Sequence, residues 1–167
     1  MREALKAGLL TALLCGGSQT LHAQQEVVGV GQPAPATAVH GLDGKAVDLG
    51  QYIGKKPVFL EFWATWCESC DALLPEVRAA HAEYGDKVEF IGINITVNQT
   101  VEQVRRYIEL KKPPFRTLYD DEGTSTRAFQ VPATSYVVIV DRTGKIVYTG
   151  SGGTQKFDAP LRRIIGH

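Results

Sequence analysis

Two cysteines, Cys67 and Cys70, stand two residues apart in Trp66-Cys67-Glu68-Ser69-Cys70. The apolar run Val58 to Trp63 precedes them, and a pattern of helical period follows. That context predicts a dithiol at a strand-to-helix junction, with Cys67 at the helix start. The first N–H groups of a helix lack internal partners and the dipole there favours negative charge, so a thiolate on Cys67 is stabilised. The thiolate is the reactive form, and a second thiol at this spacing closes a small disulfide ring. The residues therefore point to thiol–disulfide exchange. The competing chemistry for a Cys pair is half of a zinc site, which needs about four ligands. Cys15, His22, His40, His81 and His167 form no second short-spaced pair to complete one.

The elements that must hold this dithiol are legible on either side of it. Val58 to Trp63 reads as a buried central strand, interrupted by Glu61. Cys70, Leu73, Leu74, Val77, Ala80, His81 and Tyr84 fall on one helical face, ending at Gly85. Pro75 lies inside that helix and is expected to kink it, and His81 is expected to pack on its apolar face. Val88 to Ile93 is the next strand. Thr100 with Gln103 predicts a capping box for a second amphipathic helix, which Lys112-Pro113-Pro114 ends. Asp43-Gly44 sits between two short apolar runs and predicts an N-terminal hairpin. Arg116 to Tyr119 reads as a short strand and Glu122 to Gln130 as a short helix. Ser135 to Tyr148 reads as a terminal hairpin, and Asp158 as the cap of a last helix. Strands alternating with helices imply a mixed α/β sheet covered on both faces.

The chain has 167 residues, enough for one domain with its own core. Lys+Arg and Asp+Glu are both 18, and no basic patch suggests nucleic acid as a partner. Residues 1–23 read as a signal peptide: Arg2 and Lys6, an apolar stretch from Ala7 to Cys15, and a cleavage point after Ala23. That stretch is short of the roughly 20 residues that span a bilayer. Cleavage would remove Cys15 and leave Cys67 and Cys70 as the only cysteines. Residues 24–35 read as a flexible lead-in or the start of the fold, and 36–167 as the folded domain. Asn94 and Asn98 begin two glycosylation-like triplets, taken as chance matches.

With these residues in view, the chain resembles the thioredoxin-like fold, and within it the exported TlpA/ResA-like thiol–disulfide oxidoreductases, over roughly residues 29–166. Phe62-Trp63-Ala64-Thr65-Trp66-Cys67-Glu68-Ser69-Cys70, Pro75, Val131-Pro132-Ala133-Thr134 and the hairpin around Asp43-Gly44 carry the resemblance. Residues 88–119 match the strand–helix unit that the family inserts. The resemblance implies a three-layer thioredoxin-like sandwich and an enzyme that reduces protein disulfides, in settings such as cytochrome c maturation or copper-site assembly. Cys67 is then the attacking nucleophile, and Cys70 the resolving thiol that pairs with it as a disulfide. Pro132 is a cis proline facing the pair, and Trp66, Val131 and Pro132 contact substrate. Glu61 occupies the position of an acid that helps deprotonate the resolving thiol, and burial would raise its pKa. A second acid used in part of the family falls at Leu73 here, and Ser69 replaces a frequent proline.

The implied partners are a disulfide-containing protein and a membrane thiol-transfer protein as electron donor. The protein is expected to be periplasmic or otherwise exported, and monomeric. No cofactor and no metal are expected. A peroxidase of the peroxiredoxin kind would need Thr at the position of Ala64. A copper or zinc chaperone using the same two sulfurs, and a disulfide oxidase or isomerase at another potential, remain open on the sequence.

Overall fold

A computed structural model describes residues 28–166. The reading of residues 1–23 as a signal peptide falls outside them. Among the described residues, seven strands and four α-helices follow one another. The N-terminal hairpin is β1 (Ala38–Gly41) and β2 (Ala46–Asp48), turned at Asp43-Gly44. Then come β3 (Val58–Trp63), α1 (Glu68–Tyr84), β4 (Glu89–Asn94), α2 (Val101–Lys111), β5 (Arg116–Tyr119) and α3 (Thr124–Ala128). The chain closes with the hairpin β6 (Tyr136–Val140) and β7 (Ile146–Ser151), then α4 (Asp158–Ile165).

The strands form one mixed sheet in the order β2-β1-β5-β4-β3-β6-β7. β3 runs parallel to β4 and antiparallel to β6, so its N–H and C=O groups are paired on both edges. All six of its residues are buried, as an apolar run in a two-sided sheet requires. Its side chains alternate between faces. Val58, Leu60 and Phe62 join one core with Ile91, Ile93, Val138, Val140 and Phe129, the residue that follows α3. Phe59 points the other way, into a core built by Leu73 and Val77 of α1 and by Phe157 and Leu161 at α4. Trp63, on that second face, packs with Cys67, Cys70 and Val104 of α2. The sheet is thus covered on both faces, which is the expected three-layer arrangement.

Several local expectations are met by specific contacts. Thr100 Oγ1 accepts the Gln103 N–H and the Gln103 side chain accepts the Thr100 N–H, which is the capping box. The described part of the lead-in is bonded to the fold: the Gly31 and Ala34 N–H groups donate to the carbonyls of Ile146 and Gly144, and Ile146 donates back to Gln32. Two other expectations are corrected. His81 is exposed rather than packed inside, with its ring set edge-on to Phe90 at 5.1 Å. Asp158 does not cap α4; it accepts the Tyr84 hydroxyl and pairs with Arg162. α1 includes Pro75, where the pattern places it, and runs over 17 residues.

Candidate active site

β3 ends at Trp63, and four residues later the chain enters α1 with Cys67 as the capping residue. Cys67 is in extended geometry, φ −88° and ψ 99°, and its sulfur accepts the Cys70 N–H at 3.1 Å. A sulfur therefore occupies the place that an oxygen fills in most helix caps, and it takes one donor of the first turn. Cys67 and Cys70 are joined by a disulfide with Cα atoms 5.2 Å apart. Cys67 is 6% exposed and Cys70 3%, so the second sulfur lies deeper. The Ser69 hydroxyl reaches back to the Cys67 sulfur at 3.4 Å.

Glu61 lies on the same face of β3 as Trp63. In the sheet it stands opposite Gly92 of β4 and Val137 of β6. It is 2% exposed, and its Oε2 has no hydrogen-bond partner among the described residues. A carboxylate in such a place would be isolated in low dielectric, so burial pushes its pKa up from 4.5 to about 8. Gly92 leaves room beside it, which the Phe115 ring fills: a Cβ on Gly92 would come within 2.3 Å of that ring.

Sequence reasoning missed three neighbours of the dithiol. The first is the loop after β4. The Trp66 indole N–H donates to the Val97 carbonyl at 2.7 Å, and the Thr65 N–H donates to Gln99 Oε1 at 2.9 Å. Gln99 Oε1 also takes the Asn94 amide at 3.3 Å, while Thr96 and Asn98 hold positive φ on either side of Val97. Trp66 and Val97 are left 49% and 52% exposed, an apolar pair beside the buried sulfurs. Asn94 is fully buried, in line with reading its triplet as a chance match. The second neighbour is Tyr107 of α2, whose ring lies 4.8 Å from that of Trp63 and whose hydroxyl donates to Asp71 at 2.6 Å. Partial burial pulls the Asp71 carboxyl upward, yet Tyr107 and Lys111 together hold it below the ordinary value. The third is Gly153 in the turn after β7, which lies against Ser69 and Ala72. None of these contacts leaves a periodicity or spacing signal, because each joins residues far apart in the chain.

Val131 and Pro132 lie in the loop that leads into β6. Tyr136 pairs with Phe62, so this loop emerges at the edge of the sheet where β3 ends. Val131 is half-buried against the α3-side core, and its N–H donates to the Thr126 carbonyl. Pro132 is exposed. No cis peptide bond occurs among the described residues, so the Val131–Pro132 bond is trans, the isomer that X–Pro bonds favour by about 0.5–1 kcal/mol. The chain direction is set instead at Gln130 and Ser135, with φ of 50° and 59°.

Residues 29–161 match the family described as Redoxin. The chain belongs to that family. It is 31% identical to the thioredoxin-like protein YneN of Bacillus subtilis over 84% of this chain and 85% of that one. It is 27% identical to the thiol–disulfide oxidoreductase ResA of Bacillus thuringiensis, over 89% and 87%. Among solved structures, a protein disulfide isomerase fold from Bacteroides thetaiotaomicron superposes with a TM-score of 0.71 at 24% identity, covering 83% and 89% of the two chains. The fold is thioredoxin-like. This redoxin is a thiol–disulfide oxidoreductase built on a CxxC pair, and disulfide-containing molecules are its substrate class.

Proposed function

We propose that this protein is an exported reductase of protein disulfides, with Cys67 attacking, Cys70 resolving and Glu61 moving the proton. The carrying observation is that a helix-capping Cys67 sulfur and the buried Glu61 carboxyl, whose Oε2 has no partner among the described residues, lie on the same face of the sheet. In the reduced protein, the Cys67 thiolate attacks one sulfur of a substrate disulfide. A mixed disulfide forms, and the other substrate sulfur leaves as a thiol after taking a proton. Cys70 gives its proton to the Glu61 carboxylate, directly or through water, and attacks the Cys67 sulfur. The substrate leaves reduced by two electrons, and the Cys67–Cys70 disulfide remains. A base of pKa about 8 is matched to a thiol, whose free pKa is about 8.5.

Trp66 offers a flat apolar contact to the substrate, with Val131 and Pro132 across the site. The Val131 N–H is already taken by Thr126, so the carbonyl is the backbone group it offers to an extended substrate segment. Electrons come from a membrane thiol-transfer protein, which returns the disulfide to the dithiol. Residues 1–23 direct export and are removed after Ala23, and the mature protein acts as a monomer. No helix among the described residues is long and apolar enough to cross a membrane. The reduction potential of the pair, measured on protein starting at Gln24, tests the direction. A value near −270 mV supports a reductase, whereas one near −120 mV turns the reading to disulfide formation. Stoichiometric copper or zinc held by the dithiol, with no reversible couple, would replace it with a metal chaperone.

A further inference from the structure

We infer that Ser69 sets the reactivity of Cys67, its hydroxyl acting as a second hydrogen-bond donor to the nucleophilic sulfur; this rests on the redox reading above. In the disulfide neither sulfur carries a hydrogen, so at the 3.4 Å contact only the Ser69 O–H can donate. Its target is the same sulfur that accepts the Cys70 N–H at 3.1 Å. Two donors from one helical turn thus meet on Cys67.

The position of Ser69 is fixed from behind. Gly153 sits so close that a Cβ there would lie 3.0 Å from the Ser69 carbonyl oxygen and 3.6 Å from its Cα. The turn carrying Gly153 is itself tied down: the Gln155 amide donates to the carbonyls of Ser135 and Gly152, and the Gly152 N–H donates to Ser135. Ser69 is half-buried between that turn and the disulfide, which holds its hydroxyl close to the sulfur.

The contact matters most after reduction. The disulfide takes up two electrons and one proton from a dithiol donor, leaving Cys70 as a thiol and Cys67 as a thiolate. A full negative charge on Cys67 strengthens both hydrogen bonds, since bonds to charged groups are about twice as strong as neutral ones. A donor to the charged form lowers the pKa of that form. It also stabilises the reduced state against the disulfide, which makes the couple more oxidising. Glu68 and Asp71, the acidic residues of the first turn of α1, act in the opposite sense. The Ser69 hydroxyl therefore offsets part of their repulsion at the one sulfur that has to ionise.

The test is Ser69→Ala, read by thiolate absorbance at 240 nm against pH and by the equilibrium with glutathione. The Cys67 pKa is expected to rise by about one unit. The couple is expected to shift about tenfold towards the disulfide, equivalent to about 30 mV more negative, at a pH where Cys67 is ionised in both proteins. Ser69→Thr, which keeps the hydroxyl, should stay closer to wild type than to the Ala variant in both readouts. A role confined to holding the helix start would alter Tm and leave the Cys67 titration in place, and that result overturns the inference. So does a Thr variant that titrates like Ala. If wild-type protein shows no reversible couple at all, the redox reading fails; if it cycles normally and only Ser69→Ala is silent, the hydrogen bond alone fails.

Discussion

Glu61 Oε2 has no hydrogen-bond partner among the described residues and Glu61 lies between Gly92 and Val137 in the middle of the sheet, so desolvation keeps it protonated at pH values where an exposed glutamate has ionised. Its pKa is about 8 folded against 4.5 as the ordinary value. Between those values the folded protein holds a proton that the unfolded chain has released. The stabilising contribution of Glu61 is therefore full below about pH 4.5, falls as pH rises to about 8, and levels off above that. At about 1.36 kcal/mol per unit the loss is on the order of 3–5 kcal/mol. Urea unfolding of oxidised wild type and Glu61→Gln at pH 5 and pH 9 should show the variant gaining on wild type by that order at the higher pH. A difference that is flat with pH would mean the carboxyl is not sealed from solvent. The same residue has a kinetic signature: Glu61→Leu should keep the fold and slow substrate reduction near neutral pH. Unchanged turnover would take Glu61 out of the mechanism. The presence of an acid in an apolar run was plain in the sequence. Its isolation was not, because that depends on Gly92 and Phe115, which reach it only through the parallel register of β3 with β4 and the chain that follows α2.

The strands, helices and caps that depend on near neighbours were readable from the sequence, and the corrections fall where a distant element intervenes. The Asp43-Gly44 hairpin, the apolar β3 and the Thr100–Gln103 cap are local patterns, and each forms. His81 follows the helical period of α1, but it stays exposed with its ring edge-on to Phe90, and Asp158 is drawn from its cap role by Tyr84 of another helix. The Val131–Pro132 loop was read by family likeness, and its backbone differs from that expectation at the peptide bond itself. Packing is close at Gly92, where any side chain would strike the Phe115 ring, itself packed on Trp63 at 6.1 Å. Gly92→Ala should therefore cost about 1–3 kcal/mol, as overpacking of a filled core does. Phe115→Leu in the same chain should recover part of that loss, giving a double-mutant cycle in denaturant that departs from additivity. Additive effects would show that Phe115 can move aside freely.

At the scale of the whole molecule, the loops after β3, β4 and β7 and the loop before β6 all emerge at one edge of the sheet, beyond the carboxyl ends of its parallel strands. That is where open α/β sheets place their sites, and here it gathers Cys67, Val97, Gly153 and Pro132 from four separate stretches of chain. The opposite edge is held by the N-terminal arm. Residues 31–34 bond to Gly144 and Ile146 at the tip of the β6–β7 hairpin, while Val28 packs against the α3-side core. The arm thus buttresses the hairpin that carries the substrate loop at its other end, although it adds no strand of its own and holds none of the reacting groups. A chain beginning at Pro35 loses the three hydrogen bonds to that hairpin and exposes the apolar surface under Val28 and Ala34. It should be less stable than a chain beginning at Gln24 by about 2–4 kcal/mol, taking about 1 kcal/mol for each net hydrogen bond and allowing for the conformational entropy released. Hydrogen exchange should locate the loss, with Ile146 and its β7 neighbours losing protection while β3 and β4 keep theirs. The disulfide equilibrium of the shortened protein should match that of the longer one, because residues 31–34 bond at the end of the sheet opposite the dithiol and Val28 reaches only the Gln130 side chain on the α3 side. A shift in that equilibrium on truncation would instead show that the β6–β7 hairpin transmits strain to the site.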